Sequence, residues 1–488
     1  MNLYNLMRDF RPILNILGLL ICIESIALLI PMFFDLLNNN PDWKQFFYIS
    51  CLTFLIGLVL YVGFKKENIK INIRQAFLLT ILSWFIIALF GSLPFIYSTS
   101  SLNFTDAFFE SVSGITTTGS TVISNLDNLS EGILIWRSLL QWFGGIGIIV
   151  LAIAILPTLQ IGGMQLLHME HDDPYEKTLP RINKFILEII ILYVGLTLLC
   201  FIFYYIFEMS AFDALIHCMS TISTGGFSNH SLSFQYFNSH SLETICVIFM
   251  ILGSLPFVIF IQFIHGNKMS ILQDDQIKLF FYLLIFVIFL TVIWLKNYFN
   301  IDWIEAFRLA TFNITSILTG TGYTSSNYNT WGGFGLIIIL VIMFIGGCAG
   351  STTGGIKIFR FQILFRGVKL QIKKLTQPHA VFLMKFNKKT VTENTYTSVI
   401  SFFFIYVLLF ILSSVILSFF ELDFLTALSA SASAISNVGP GIGEIIGPDE
   451  NYSNIDYKAK WTLAITMLVG RLEVFTILIL FSKNFWRK

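Results

Sequence analysis

Four short stretches of this sequence end in hydroxyl or amide residues followed by glycine. They are TTTGS at 116–120, STGG at 223–226, TGTGY at 319–323 and SNVGPG at 436–441. Their side chains offer no nucleophile with a base beside it. What they offer is backbone. A glycine-rich exit lets a chain extend and turn its carbonyls toward an axis. Carbonyls gathered from four such segments can replace the hydration shell of a dehydrated cation. The chemistry expected here is cation coordination, with Gly119, Gly225, Gly322 and Gly439 aligned.

Each stretch closes a longer segment of one pattern: FTDAFFESVSGITTTGST (104–121), AFDALIHCMSTISTGGFS (211–228), WIEAFRLATFNITSILTGTGYT (303–324) and DFLTALSASASAISNVGPGIG (423–443). An acid stands near the start (Asp106, Asp213, Glu305, Asp423), where it suits a helix N-terminus. A semi-apolar run follows. About 12 residues of helix reach only ~18 Å, too short to cross a bilayer. Irregular backbone at membrane depth survives only where it lines a water-filled path or is buried in protein.

The elements around these segments are apolar. The chain has 488 residues, 55% hydrophobic and 12% charged, with a mean hydropathy of +0.76. A soluble chain of this length needs far more surface charge. Windows long enough to cross a ~30 Å core recur at 13–34, 46–64, 75–98, 135–156, 185–207, 244–264, 279–295, 396–419 and 461–481. A tenth, broken one lies at 332–364. The expected fold is an all-α polytopic membrane protein. It comprises four repeats of span, re-entrant pore helix, filter and span around a pseudo-fourfold pore, preceded by two extra transmembrane helices. The expected division is 1–70 for the helix pair, 71–164, 165–268 and 269–366 for repeats one to three, 367–392 for a basic cytoplasmic linker and 393–488 for repeat four.

Charge sets the orientation. Of the 30 basic residues, all but Lys44, Arg137, Lys296, Arg308, Lys357, Lys458, Lys460 and Arg471 fall in segments that are cytoplasmic if both termini are. The six cysteines are scattered without a CxxC, and the seven histidines without an HExxH. No disulfide framework, zinc site or cleavable signal peptide is expected. A net charge of +1 carries no sign of a nucleic-acid partner.

TTTGS, STGGFS, TGTGYTSSNY and SNVGPGIG, with GGCAGSTTGGIK (346–357) and VGRLEVFT (469–476), resemble the motifs of a superfamily of K⁺ transporters that includes bacterial Trk and Ktr and plant and fungal relatives. The leading spans and the length look like the TrkH/TrkG branch, and the resemblance covers essentially the whole chain. It implies K⁺ uptake across a bacterial inner membrane, a homodimer, and a cytosolic TrkA-type ring that binds NAD or ATP. Membrane lipid is the other expected partner. By position it implies that the carbonyls of Thr117 and Thr118, Ser223 and Thr224, Gly320 and Thr321, and Asn437 and Val438 line the filter before the four glycines. Glycine at all four positions goes with K⁺ rather than Na⁺. The loops depart from TVGYG. This chain has no strand-GxGxxG-helix unit, so nucleotide sensing is expected on a partner and K⁺ is the only ion assigned here.

The last spans of the repeats carry WFGGIG (142–147), ILGSLP (251–256), FIGGCAG (344–350) and LVGRLE (468–473). Aligned on the glycines at 144, 253, 346 and 470, they put Gly145, Ser254, Gly347 and Arg471 at similar depth. In the third repeat the break is expected to widen into an intramembrane gate loop, 346–355, holding Gly346, Gly347, Gly350, Ser351, Thr352, Thr353, Gly354 and Gly355. Five glycines at ~1 kcal/mol each against alanine disfavour continuous helix there. A small-residue packing face is the plainer reading. Arg471, a charge inside a span, is either an electrostatic barrier that holds the loop or a structural ion pair. Glu473, two residues on, faces elsewhere on a helix. Lys357 either joins the gate or snorkels to the interface. The basic stretch 360–389, broken at Pro378, docks the partner ring or anchors at lipid.

Two other function classes fit the sequence less well. A secondary transporter for a small organic solute expects two related halves, usually inverted, whereas four units share one orientation here. An intramembrane enzyme needs converging catalytic groups. His217 and Cys218 are neighbours on one short helix, so their side chains point about 100° apart. No enzyme activity is expected.

Overall fold

A computed structural model of the chain describes residues 3–65, 71–151, 179–267, 269–380, 382–387 and 389–486. Lys66, Lys70, His168, His171, Lys177, Lys268, Lys388, Arg487 and Lys488 lie outside them, as does the expected boundary between the first two repeats. Among the described residues, seven helices are long and apolar enough to cross a membrane, and two bent pairs pass the same test together. Among the described residues, the sheet is one small hairpin, Lys385–Phe386 against Lys389–Thr390.

Two leading helical stretches, Phe10–Leu37 and Trp43–Gly63, pack on each other. Four units follow. The opening helices are Ile73–Gly91, Leu179–Ile206, Asp275–Phe299 and Glu393–Phe419. The pore helices are Phe104–Ile115, Ala211–Ile222, Trp303–Leu318 and Phe424–Ser436. They have 12, 12, 16 and 13 residues, so none can span. The closing helices begin at Glu131, His240, Gly332 and Tyr457.

The closing helices make the ring. That of unit one packs on the pore helix of unit two, unit two's on unit three's, unit three's on unit four's, and unit four's on unit one's. Polar residues therefore collect at the centre of an otherwise apolar molecule. The hydroxyl-rich faces of the four pore helices are buried between apolar neighbours, while Phe, Leu and Ile are exposed along the outer helices. That inversion suits a lipid-facing surface around a polar axis.

The closing helices differ at mid-depth. Unit two's bends by 92° between Ser254 and Phe257, and unit four's by 108° between Arg471 and Val474. Pro256, with no N–H to donate, explains the first bend. Unit three's ends at Met343 and resumes as Ile358–Thr376. Unit one's corrects the sequence expectation, because Glu131–Val150 runs unbroken through Gly144 and Gly145. A Cβ on Gly144 would overlap the Ile115 carbonyl. These glycines let the helix approach the pore helix; they do not break it.

Candidate ion pathway

Each pore helix is capped by a side chain. Asn103, Ser210, Asp302 and Asp423 accept from the N–H groups of Asp106, Asp213, Ile304 and Thr426. Three of the expected acids, Asp106, Asp213 and Glu305, lie in the first helical turn, while Asp423 is itself the cap. Either place puts negative charge at the positive end of the helix.

All four chains leave their pore helix in the same way. The N–H groups of Thr117, Thr224, Gly320 and Asn437 bond to the carbonyls of Gly114, Thr221, Ile317 and Ala434. The next N–H groups, of Thr118, Gly225, Thr321 and Val438, reach Ser113, Ser220, Ser316 and Ser433. Backbone φ is positive at Thr117 (51°), Thr224 (50°), Gly320 (69°) and Asn437 (55°). It is positive again at Gly119 (89°), Gly226 (78°), Gly322 (84°) and Gly439 (109°). A β-branched residue at positive φ is strained, and such strain concentrates at functional sites.

This geometry moves one sequence assignment. Gly226, not Gly225, is equivalent to Gly119, Gly322 and Gly439, so the residues matching Thr117 and Thr118 are Thr224 and Gly225 rather than Ser223 and Thr224. Two adjacent glycines look alike in composition, and only the backbone tells which one needs positive φ. A signal was present. Serines 113, 220, 316 and 433 each stand six residues before the glycine that the structure selects.

The four segments interlock. A Cβ on Gly119 would overlap the Gly225 carbonyl oxygen, on Gly226 that of Thr321, on Gly322 that of Val438, and on Gly439 that of Thr118. Unit one thus abuts two, two abuts three, three abuts four, and four abuts one. Asn437 Nδ2 adds a bond to Thr118 Oγ1 at 3.0 Å across the closing seam.

Polar side chains that the sequence reading left unassigned brace the strands from behind. Glu110, His217 and Asn313 occupy one pore-helix position, each nine residues before the ring glycine (119, 226, 322). Glu110 accepts from Val122 N at 2.9 Å and Thr121 Oγ1 at 3.0 Å. His217 Nε2 lies 3.0 Å from Ser228 Oγ. Asn313 bonds Ser325 through its Nδ2, at 3.0 Å, and its Oδ1, at 3.2 Å. In unit four Ser429 does this work, accepting from Ile442 N and donating to its carbonyl. Arg137 pairs with Glu110 at 2.8 Å and also donates to the Ser228 carbonyl at 2.8 Å. Both side chains are buried, so the pair is shielded from solvent. A charge within a span was the available clue to Arg137; its partner lay in another element.

The expected gate segment is a buried loop. Its neck is closed by Gly346 N to the Ile356 carbonyl at 2.9 Å and Ile356 N to the Phe344 carbonyl at 3.0 Å. The carbonyls freed by unit two's bend satisfy it. Ser254 accepts from Cys348 N at 3.0 Å, and Gly253 accepts from Thr352 N at 3.3 Å and Thr352 Oγ1 at 2.9 Å. In return Gly350 accepts from Phe257 N at 3.0 Å. Gly347 N donates to Thr353 Oγ1 at 3.0 Å, and Ser351 and Thr353 share a bond at 2.9 Å. A Cβ on Gly354 would overlap the Ser436 carbonyl. Gly355 returns the chain at φ 66°. Thr352 Oγ1 also lies 3.2 Å from Thr224 Oγ1, which sets the loop tip against the second filter segment.

Two cations hold this loop. Arg471 Nη2 donates to the Thr352 carbonyl at 2.9 Å. Lys357 Nζ donates to the Thr353 carbonyl and, at 3.0 Å, to Thr353 Oγ1. Lys357 is buried, which corrects the reading that it snorkels to the interface. Glu473 bonds Arg360 at 2.6 Å. Arg360, grouped by sequence with the cytoplasmic basic residues, is in fact buried and lies over the Phe402 ring at 3.7 Å. The remainder of the basic linker folds as one helix to Thr376 and the hairpin. Arg366 ties it to Asp275 at 2.6 Å.

This arrangement has counterparts. The family model described as TrkH, a cation transport protein, matches residues 43–488. The Trk system potassium uptake protein TrkI of Halomonas elongata is 38% identical over 99% of this chain and 98% of its own. The TrkH protein of Escherichia coli K12 is 37% identical over 98% of this chain and 100% of its own. The crystal structure of the potassium transporter TrkH from Vibrio parahaemolyticus superposes with a TM-score of 0.91 at 34% identity, over 98% of this chain and 100% of that one. With a family model over most of its length and full-length relatives well above 30% identity, the chain belongs to the TrkH family of cation transport proteins.

Proposed function

We propose that this chain is the ion-conducting subunit of a Trk-type potassium uptake system in a bacterial inner membrane, with both termini cytoplasmic. K⁺ is held by backbone oxygens of Thr117, Thr118, Thr224, Gly225, Gly320, Thr321, Asn437 and Val438, between the ring glycines. The observation that carries the reading is the cyclic closure of four equivalent filter segments. Such a ring presents a matched set of oxygens to a dehydrated cation. Relatives named for Trk potassium uptake support the choice of ion.

The gate is the 346–355 loop beneath the second filter segment. Arg471 and Lys357 keep it in the path and add positive charge that opposes cation passage. A change in these bonds would shift the loop between a held and a released state. The helix Ile358–Thr376 leaves this loop directly, so a cytosolic TrkA-type ring docked on the linker would pull on the gate. The working assembly is a homodimer bearing that ring, which carries the nucleotide site, while this chain carries K⁺.

Flux into proteoliposomes at a set membrane potential tests the reading, with K⁺, Rb⁺, Na⁺ and choline compared. K⁺ and Rb⁺ entry well above Na⁺, with discrimination lost in Gly119→Ser, is the expected result. Equal K⁺ and Na⁺ entry in the unaltered chain would remove the filter assignment. No cation entry even with the cytosolic partner present would remove the pore.

A further inference from the structure

Three filter segments carry a β-branched residue just before the ring glycine: Thr118, Thr321 and Val438. The second carries Gly225 there. Its φ is not in the positive range, so conformation does not demand glycine at 225. Space does. A Cβ on Gly225 would fall within 3.0 Å of Gln141 Nε2 and closer still to Gln141 Cδ and Oε1. The amide of Gln141 occupies the place that a side chain fills in the other three segments.

Gln141 uses that place fully. Its Nε2 donates to the Gly225 carbonyl at 2.6 Å. Its Oε1 accepts from Ser220 Oγ at 2.5 Å and from Phe227 N at 3.1 Å. Phe227 N can only donate, which fixes which end of the amide is oxygen. The residue is fully buried. It stands on unit one's closing helix three residues before Gly144. The same offset from Gly253, Gly346 and Gly470 gives Met250, Met343 and Met467, all buried. One closing helix thus carries an amide where three carry a thioether, and it faces the one segment whose side chain is missing.

We infer that Gln141 is a positioning residue for ion selection, holding the second filter segment by hydrogen bonds from its amide where the other three segments carry a β-branched side chain of their own. The inference rests on the filter reading proposed above. A carbonyl oxygen has two lone pairs. The bond from Gln141 therefore fixes the Gly225 carbonyl without using up its capacity to meet an ion. Because Gly225 O also touches the ring glycine of unit one, a loosened segment two would disturb the seam between units one and two.

The test is a swap, read as the K⁺-to-Na⁺ flux ratio in proteoliposomes, with size-exclusion elution and thermal stability of each purified chain as controls. Gln141→Met alone is expected to lower the ratio about tenfold, the worth of a lost buried hydrogen bond, while K⁺ still enters. Gly225→Thr alone, driven against Gln141, is expected to lose flux. The double variant Gln141→Met/Gly225→Thr, which copies the other three segments, is expected to regain most of the ratio, a coupling between touching sites. An unchanged ratio in Gln141→Met beside a selective unaltered chain overturns the inference and leaves the filter reading standing. A double variant no better than its two parts combined, or one that fails to fold, also overturns it. An unselective unaltered chain overturns both.

Discussion

Arg471 Nη2 sits 2.9 Å from the carbonyl oxygen of Thr352, joining the end of unit four's closing helix to the tip of unit three's loop. Both residues are buried. The bond ties two broken helices together. Replacing Arg471 with alanine removes a charged hydrogen bond of roughly 1.5–3 kcal/mol together with the positive charge. K⁺ flux without the cytosolic partner is expected to rise about tenfold or more. Radiotracer uptake into proteoliposomes checks this, and flux unchanged or lowered in a folded variant would discard the gating role.

The second filter segment offers a comparison between neighbours. Gly226 has φ 78° and its Cβ would overlap the Thr321 carbonyl, which is backbone of the next unit. The atoms nearest a Cβ on Gly225 belong to the Gln141 side chain rather than to backbone. Gly226→Ala is therefore expected to abolish selective K⁺ entry, and Gly225→Ala to weaken it by less. Paired flux measurements giving the opposite order would restore the alignment on Gly225.

His230 lies outside the spans, after the second filter segment, and bridges two units. Its Nδ1 is 2.8 Å from Asp127 Oδ1 and its Nε2 is 3.4 Å from Asp213 Oδ1. The ring stacks on Tyr236 at 3.5 Å, and His217 also bonds at Asp213, through the backbone carbonyl. Burial lowers the pKa of His230, but the carboxylates of Asp213 and Asp127 outweigh it and hold the imidazole above its ordinary 6.5. Burial likewise raises Asp127, and the bonds from His230 and Ser231 outweigh it, leaving the carboxyl below 3.8. The raised base stabilises fully below 6.5 and loses that contribution as pH rises through its folded value. The lowered acid stabilises above 3.8 and loses its contribution as pH falls through its folded value. Thermal stability is expected to fall as pH is raised from 6.5 toward alkaline, and His230→Gln to flatten that slope. An equal slope in the variant would remove His230 as the source of this pH dependence.

Arg360 and Glu473 form a buried pair, with side-chain exposures of 0% and 9%. Removing one partner of such a pair costs roughly 3–5 kcal/mol, because the other charge is stranded. Glu473→Ala is expected to lower the thermal midpoint sharply, and Arg360→Met/Glu473→Ala to recover much of it. Differential scanning fluorimetry in detergent decides this. If the single variant unfolds like the parent, the pair contributes nothing to holding unit four's bend against the linker helix.

The spans, the four pore helices and the loop at 346–355 were legible in the sequence, because each leaves a local trace. Apolar length marks a span, a short run with an acid at its start marks a pore helix, and consecutive glycines mark a break. The loop's role as a gate and the ion sites rest on argument from these traces. Gly144 and Gly145 misled because glycine that lets two helices approach is written in the same letters as glycine that ends one.

Composition and periodicity determined that this chain crosses a membrane many times and carries four repeated, glycine-ended re-entrant segments, since those properties depend on near neighbours in the chain. The tertiary structure decided which of two adjacent glycines enters the ring, and that Glu473 belongs to Arg360 while Arg471 belongs to Thr352. It also decided that Gln141 fills the notch at Gly225. Each of these is a contact between residues separated by tens to hundreds of positions. Such a contact is set by how the closing helix of one unit lies on the pore helix of the next, and no local pattern encodes that crossing.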